Sequence, residues 1–338
     1  MLVSEMAELI ETFEEFISAR YEPLEIKFLN QTSEHLGKNF SAIRKFYLQE
    51  WQKALAEAIK IQQEEENICS YMSVSLLNTS VLEGAPKFQV DFYNHEWVYG
   101  ESFCRYKFDA EFLFKHWKDF IFEVQDDNFY LRSNFGKVEI QSLFFGTVDK
   151  LAFMFACFAK YFAYQITYSN EFDDLKKSES FYLTCGVYLD WQNRIFAQMP
   201  EIDLLNPADN EQTTFRLYDK KILRGKSFQD IDLQCCYFKN CLFQDFTFAN
   251  VSVVDAIFWQ CRFKSVTFDN VKFAGTTFFE CYFKDCTFKN CSSDSADVKE
   301  NNDEYFAPMM LYHCYVFGRK DIDCNFERTK IIEVFEKE

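Results

Sequence analysis

Between residues 236 and 290 the chain reads CYFKN CLFQD FTFAN VSVVD AIFWQ CRFKS VTFDN VKFAG TTFFE CYFKD CTFKN, and the third column is Phe in ten of eleven blocks. A helix repeats every 3.6 residues and a strand every two, so neither keeps a five-residue period on one face. A chain does keep it when each block forms one short straight side and then turns a corner. The central side chain of every block then points to a common axis. No block buries that side chain alone, but stacked coils bury it together. Composition agrees with such packing: Phe numbers 42, while Gly and Pro are scarce at 9 and 5.

This pattern resembles the pentapeptide-repeat family. The matching centres are Tyr218, Leu223, Phe228, Leu233, Phe238, Phe243, Phe248, Val253, Phe258, Phe263, Phe268, Phe273, Phe278, Phe283 and Phe288. They cover residues 216–298, about a quarter of the chain. The resemblance implies a right-handed quadrilateral β-helix of about four coils, with four blocks per coil. Coils stacked as neighbouring strands rise roughly 4.8 Å each. Residues twenty apart then lie over one another. Phe228, Phe248, Phe268 and Phe288 form one ladder, Phe238, Phe258 and Phe278 a second, and Phe243, Phe263 and Phe283 a third. Ring stacking adds about 0.5–1.5 kcal/mol per pair beyond area burial. Phe246 fills a column of small residues and predicts a bulge. Cys236, Cys241, Cys261, Cys281, Cys286 and Cys291 all fall in the first column, where Cys serves as a small apolar filler.

The frame fades at Ser293 and Val298, and CSSDSADVKENNDE (291–304) reads as a polar exit loop. Residues 299–338 read as a capping tail. YFAPMMLYHCYVF (305–317) is apolar enough to cover an open coil end. Alternatively, CYVFG RKDID CNFER TKIIE resumes the fives in a shifted frame as one degenerate coil, with Val316, Phe326 and Ile331 inward and Asp321 out of pattern. The final KIIEVFEKE reads as a short helix.

Residues 1–198 read as a mostly helical domain with one β-hairpin, so the whole is an α+β, two-domain chain. Apolar residues recur at helical spacing over 2–19, and Pro23 interrupts them. A short helix at 25–36 is separated by Gly37 from a long one at 39–67. CSYMSVSLLNTSV (69–81) and KFQVDFYN (87–94) form a hairpin candidate across EGAP. Further helices are expected at 109–123, 148–168 and 178–197, and a linker at 199–215. The run LAFMFACFAKYFAYQI (151–166) is too short to span a bilayer and contains Lys160, so it reads as a core helix.

The formal net charge is −17, but the repeat is nearly neutral: residues 222–298 carry 8 basic and 9 acidic groups, whereas residues 1–68 carry 7 and 13. A net-acidic chain disfavours nucleic acid phosphates and anionic lipid. The 13 Cys are odd in number and six of them are fillers of the repeat's first column, which points to free thiols in a reducing bacterial cytoplasm, with secretion as an effector left open. His35, His95, His116 and His313 have no metal-binding spacing, and the acid pairs Asp126–Asp127 and Asp173–Asp174 read as solvated loops. No catalytic, metal or cofactor site is predicted.

Surface chemistry remains. Tyr237, Ile257, Trp259 and Phe279 face outward on one side, with Trp259 and Phe279 directly over one another, as a candidate interface for a protein partner or a homodimer. The next side carries Arg262, Lys264 and Lys284 beside Leu242 and Tyr282, and a third a Thr ladder of Thr247, Thr267 and Thr287. The expected function is a non-catalytic protein–protein interaction scaffold. The family resemblance supplies an alternative, a DNA mimic that inhibits gyrase, and a bacterial effector or immunity protein is another.

Overall fold

The five-residue period becomes geometry at its corners. The computed structural model describes residues 12–130, 135–208, 211–293, 309–327 and 329–337. The chain divides into a unit Met1–Phe196 and a unit Ala197–Glu338. In the second unit, the residue two positions after each central side chain adopts positive φ, as at Asn240 (51°), Asp245 (49°), Asn250 (54°), Asn270 (53°) and Asn290 (51°). Gly, Asn and Asp visit this region at least cost, which is why they dominate the fifth column.

Between corners, three sides are three-residue strands in parallel register. The first stacks Tyr237–Lys239, Ile257–Trp259 and Thr277–Phe279. The second stacks Leu242–Gln244, Arg262–Lys264 and Tyr282–Lys284. The third stacks Thr247–Ala249, Thr267–Asp269 and Thr287–Lys289. On the fourth side only single bridges form, Asp232 to Ser252, Ser252 to Lys272 and Lys272 to Ser292. That side closes on a tight turn, in which the Ala256 amide donates to the Val253 carbonyl at 2.9 Å. Residues twenty apart therefore lie side by side.

The central rings fill the axis. Phe243–Phe263 and Phe263–Phe283 stack at 5.1 and 4.7 Å, with interplanar angles of 3° and 9°. Phe238–Phe258–Phe278 stack at 4.8 and 4.9 Å, and Phe248–Phe268–Phe288 at 4.9 and 4.7 Å. These distances match the inter-strand spacing, so backbone pairing and ring stacking share one repeat. Phe228 departs from the expected ladder and meets Phe248 edge-on at 74°. The cause is Phe246, whose ring lies 5.0 Å from Phe228. The predicted bulge is absent: Phe246 is buried, and the strands on both sides of it keep register.

The tail follows the shifted-frame alternative and is neither cap nor helix. Met310–Tyr312 pairs with Thr277–Phe279, Tyr315–Phe317 with Tyr282–Lys284, and Lys320–Ile322 with Thr287–Lys289. Asn325 bridges Ser292 and completes a fifth coil. Lys330–Ile332 and Phe335–Lys337 then begin a sixth, where a short helix was expected. Ser293 keeps the inward position and is fully buried; Val298 and most of the expected exit loop lie outside the described residues. Asp321 stays at the centre of its side opposite Phe288. Arg319 makes this tolerable: its Nε donates to Asp321 at 2.8 Å, and its guanidinium lies 5.2 and 5.0 Å from the Phe288 and Phe326 rings. Val316 is buried as expected, but Ile331 is 56% exposed.

The expected linker is part of the rod. Leu204 is buried in the axial core with Ile202 and Leu205 packed beside it. Buried Arg216 pins the segment by donating to the carbonyls of Pro200 and Gln212. A solenoid needs such a cover at its first coil.

The first unit holds α1 (Phe13–Phe16), α2 (Glu22–Lys38), α3 (Phe40–Glu64), β1 (Cys69–Leu76), α4 (Asn78–Leu82), β2 (Lys87–Tyr93), β3 (Cys104–Asp109), α5 (Trp117–Tyr130), α6 (Lys137–Lys160), α7 (Asn170–Asp174), β4 (Lys177–Val187) and β5 (Gln192–Gln198). Pro23 does not end the first helix. A π-helical turn, Ile17–Tyr21, lies between α1 and α2, and Pro23 stands in the first turn of α2, where its missing N–H costs nothing. Residues 2–11 of the expected first helix lie outside the described residues. The expected hairpin exists, but α4 lengthens its connection beyond EGAP.

The larger correction concerns 178–197. This segment is the strand pair β4–β5, and the sheet order is β3-β2-β1-β4-β5, with β1 and β4 parallel. Met72, Val74, Leu76, Phe88, Val90, Leu183 and Cys185 are buried. Tyr47 of α3 and Phe155 of α6 reach Phe88 at 5.7 and 4.9 Å. Val138–Lys160 is long and apolar enough to cross a membrane by length and composition; here its Leu151, Ala152 and Phe155 are core residues. The expected helix at 109–123 starts only at Trp117, and that at 148–168 gives way after Lys160 to a 3-10 segment, Ala163–Tyr168. Asp126 lies in α5 and Asp173–Asp174 in α7, not in loops.

Candidate functional site

With the axis filled by rings, chemistry is confined to the first column, the corners and the outward positions of the sides. The first column is a thiol ladder. Cys241, Cys261, Cys281 and Cys314 follow one another on successive coils, all buried and all free. Each thiol lies within reach of a backbone carbonyl of the coil before, as Cys261 Sγ to Phe238 O at 3.1 Å and Cys281 Sγ to Phe258 O at 3.2 Å. Within this ladder, hydrogen bonds between successive thiols raise Cys241 and Cys281 and lower Cys261 and Cys314. Elsewhere in the first column burial pushes Cys286 up to about 11 and Cys236 and Cys291 up to about 12, and thiols raised in this way pack and do not attack.

The corners form a polar ladder that the column analysis missed. Asn270 donates to Asn250 at 2.8 Å and Asn250 to Asp230 at 2.9 Å. On another corner Gln260 donates to Glu280 at 2.8 Å, and His313 lies 3.0 Å from Glu333. The recurrence of Asn and Asp in the fifth column was the available signal.

On the first side, Tyr237, Ile257 and Phe279 are buried although they point away from the axis, and Trp259 is half-buried. Trp259 and Phe279 stack at 4.7 Å and 12°. Tyr312 extends that column, 4.5 Å from Phe279; its place on this side was hidden by the break in the frame. The third side carries the Thr ladder as expected, with Thr247, Thr267 and Thr287 in register.

The second side differs from both. Its outward positions hold Ile222, Arg224, Arg262, Lys264, Tyr282, Lys284, Tyr315 and Phe335, all exposed, and the half-buried Leu242, Gln244 and Phe317. Tyr315 and Phe335 stack at 5.2 Å and 14°. Among the described residues, Arg224, Arg262, Lys264 and Lys284 make no ion pair.

Four five-residue sides per coil, inward centres and left-handed corners decide the architecture. The second unit has the pentapeptide-repeat fold. Solved structures similar to this chain include a pentapeptide-repeat protein, Rfr23. Rfr23 from the cyanobacterium Cyanothece 51142 is 10% identical over 36% of this chain and 84% of its own, with a TM-score of 0.26. QnrB1, a plasmid-mediated fluoroquinolone resistance protein, is 12% identical over 38% of this chain and 84% of its own, with a TM-score of 0.12. No family profile and no curated protein matches the chain.

In the first unit the structure brings together two residues that the sequence kept apart. The rings of His35 in α2 and His116 before α5 are 6.3 Å apart. Desolvation, with Lys115 and His116 nearby, lowers the His35 pKa. Among the described residues no three His, Cys, Asp or Glu side chains converge as a metal site. On the polar face of the sheet, Asp91 is buried and accepts from Gln89 at 2.8 Å and Arg105 at 3.0 Å. Tyr71 is stacked between Trp97 at 5.1 Å and Tyr182 at 5.0 Å. The Asp91 carboxylate is thus satisfied by its neighbours, an arrangement that rigidifies the sheet.

Proposed function

We propose that this chain is a non-catalytic protein-binding scaffold whose pentapeptide-repeat rod serves as a rigid docking wall. One observation carries this reading. On the first side the half-buried Trp259 stacks on Phe279 at 4.7 Å and 12°, in an apolar column that points away from the axis. A side evolved only for water would present polar residues at those positions. Stacked aromatic columns on a fixed pitch suit recognition, because large rings held rigid lose little freedom on contact. In this reading Trp259 makes the contact, and Tyr237, Ile257 and Phe279, buried in the chain itself, hold it in place. The reading also places the protein in a reducing cytoplasm, where the packed thiols stay reduced.

Affinity capture from the native cell tests it. The Trp259→Ala/Phe279→Ala variant is expected to lose a partner recovered by the unaltered protein, with its far-ultraviolet spectrum unchanged. Recovery of the same proteins in the same amounts by both would overturn the reading.

A further inference from the structure

The second side of the rod has a charge problem that the fold does not solve. Lys264 and Lys284 are directly paired in register on adjacent coils, and Arg262 sits opposite Tyr282. Like charges placed opposite one another across a parallel ladder repel. All three cations are exposed, and none has an ion pair among the described residues. The exposed acids nearest in sequence, Asp245, Glu280 and Asp285, stand at the corners and not on the face. Around these cations lie exposed Ile222, Tyr282, Tyr315 and Phe335. Cations beside Tyr and aliphatic side chains on a rigid sheet are the residue types that dominate protein interfaces.

We propose that this side docks an acidic protein surface, whose carboxylates meet Arg262, Lys264 and Lys284 while an apolar part seats against Tyr282, Tyr315 and Phe335. The proposal rests on the reading of the rod as a docking wall and names the partner chemistry of a different side. Charge complementarity selects an anion. The rings select protein over single-stranded nucleic acid. Base binding needs free ring faces, but Tyr315 and Phe335 are stacked on each other with an interplanar angle of 14° and present their edges.

A fluorescently labelled glutamate–tyrosine copolymer, with labelled polyuridylate in parallel, tests this on the full-length chain by anisotropy. The copolymer is expected to bind, with affinity falling at least tenfold between 50 and 300 mM salt. Lys264→Glu/Lys284→Glu is expected to abolish that binding, and Lys264→Gln/Lys284→Gln to weaken it, with both thermal melts unchanged. Polyuridylate is expected to bind at least tenfold more weakly. Copolymer binding untouched by either double variant would overturn the proposal. So would polyuridylate binding as tight as the copolymer's and lost in the same variants. Trp259→Ala/Phe279→Ala is expected to bind the copolymer normally. Failure here together with partner loss on cellular capture by Trp259→Ala/Phe279→Ala would remove this proposal and leave the docking wall standing.

Discussion

At the scale of single residues, the rod depends on the ring in the third column and the small side chain in the first. Phe263 is fully buried and stacked at about 5 Å on Phe243 and Phe283. Phe263→Ala is expected to destabilise the rod by about 3–5 kcal/mol, the usual cost of emptying a packed aromatic site. Phe335→Ala, at a 58% exposed position, should change stability by less than about 1 kcal/mol. Urea unfolding of the two variants checks both. The thiols make a separate prediction. Burial raises Cys236 and Cys291 to about 12 and Cys286 to about 11, whereas a thiol in the unfolded chain ionises near about 8.5. The folded state therefore keeps protons that the unfolded state releases. Their contribution is complete below about pH 8.5 and is lost as pH rises through 11 to 12. The melting temperature should be level from about pH 7 to 8 and fall from about pH 9 upward, with a shallower fall in Cys286→Ala.

At the scale of elements, corners and register decide. Asn270 has φ of 53° and donates to Asn250. Asn270→Val should cost about 1–2 kcal/mol, because a β-branched residue is strained in the left-handed region, and Asn270→Gly should be nearly neutral. Urea midpoints separate the two. The same physics explains what the sequence revealed. The rod was legible because its large apolar centres, most of them rings, recur without a gap from Tyr218 to Phe288, a signal no helix or strand imitates. The tail was legible only as an alternative, one degenerate coil in a shifted frame, because Thr277 pairs with Met310 rather than with the residue twenty positions on, and because Asp321 and Glu336 occupy central positions. β4 read as a helix because Phe181, Leu183, Cys185 and Val187 are buried on one face and Thr184 on the other. A strand buried on both faces lacks clean alternation and cannot be told from a core helix by period. The candidate side was partly legible: Trp259 over Phe279 followed from the twenty-residue repeat, whereas Tyr312, Tyr315 and Phe335 required the fifth and sixth coils.

At the scale of the whole molecule, the sign and place of charge separate the functional readings. DNA mimicry requires acids spread along a rod. Here the exposed second side carries Arg224, Arg262, Lys264 and Lys284, and the repeat is near neutral. A gyrase supercoiling assay is expected to show no inhibition; potent inhibition would reverse the ranking of readings. All of this presupposes that coils of twenty residues stack around a ring-lined axis. Nuclear Overhauser contacts between selectively labelled Phe rings test that most directly. The fold predicts Phe243–Phe263 and Phe263–Phe283 contacts, at centroid distances of 5.1 and 4.7 Å. Phe263 showing contacts only to sequence neighbours, and none to residues twenty away, would contradict it.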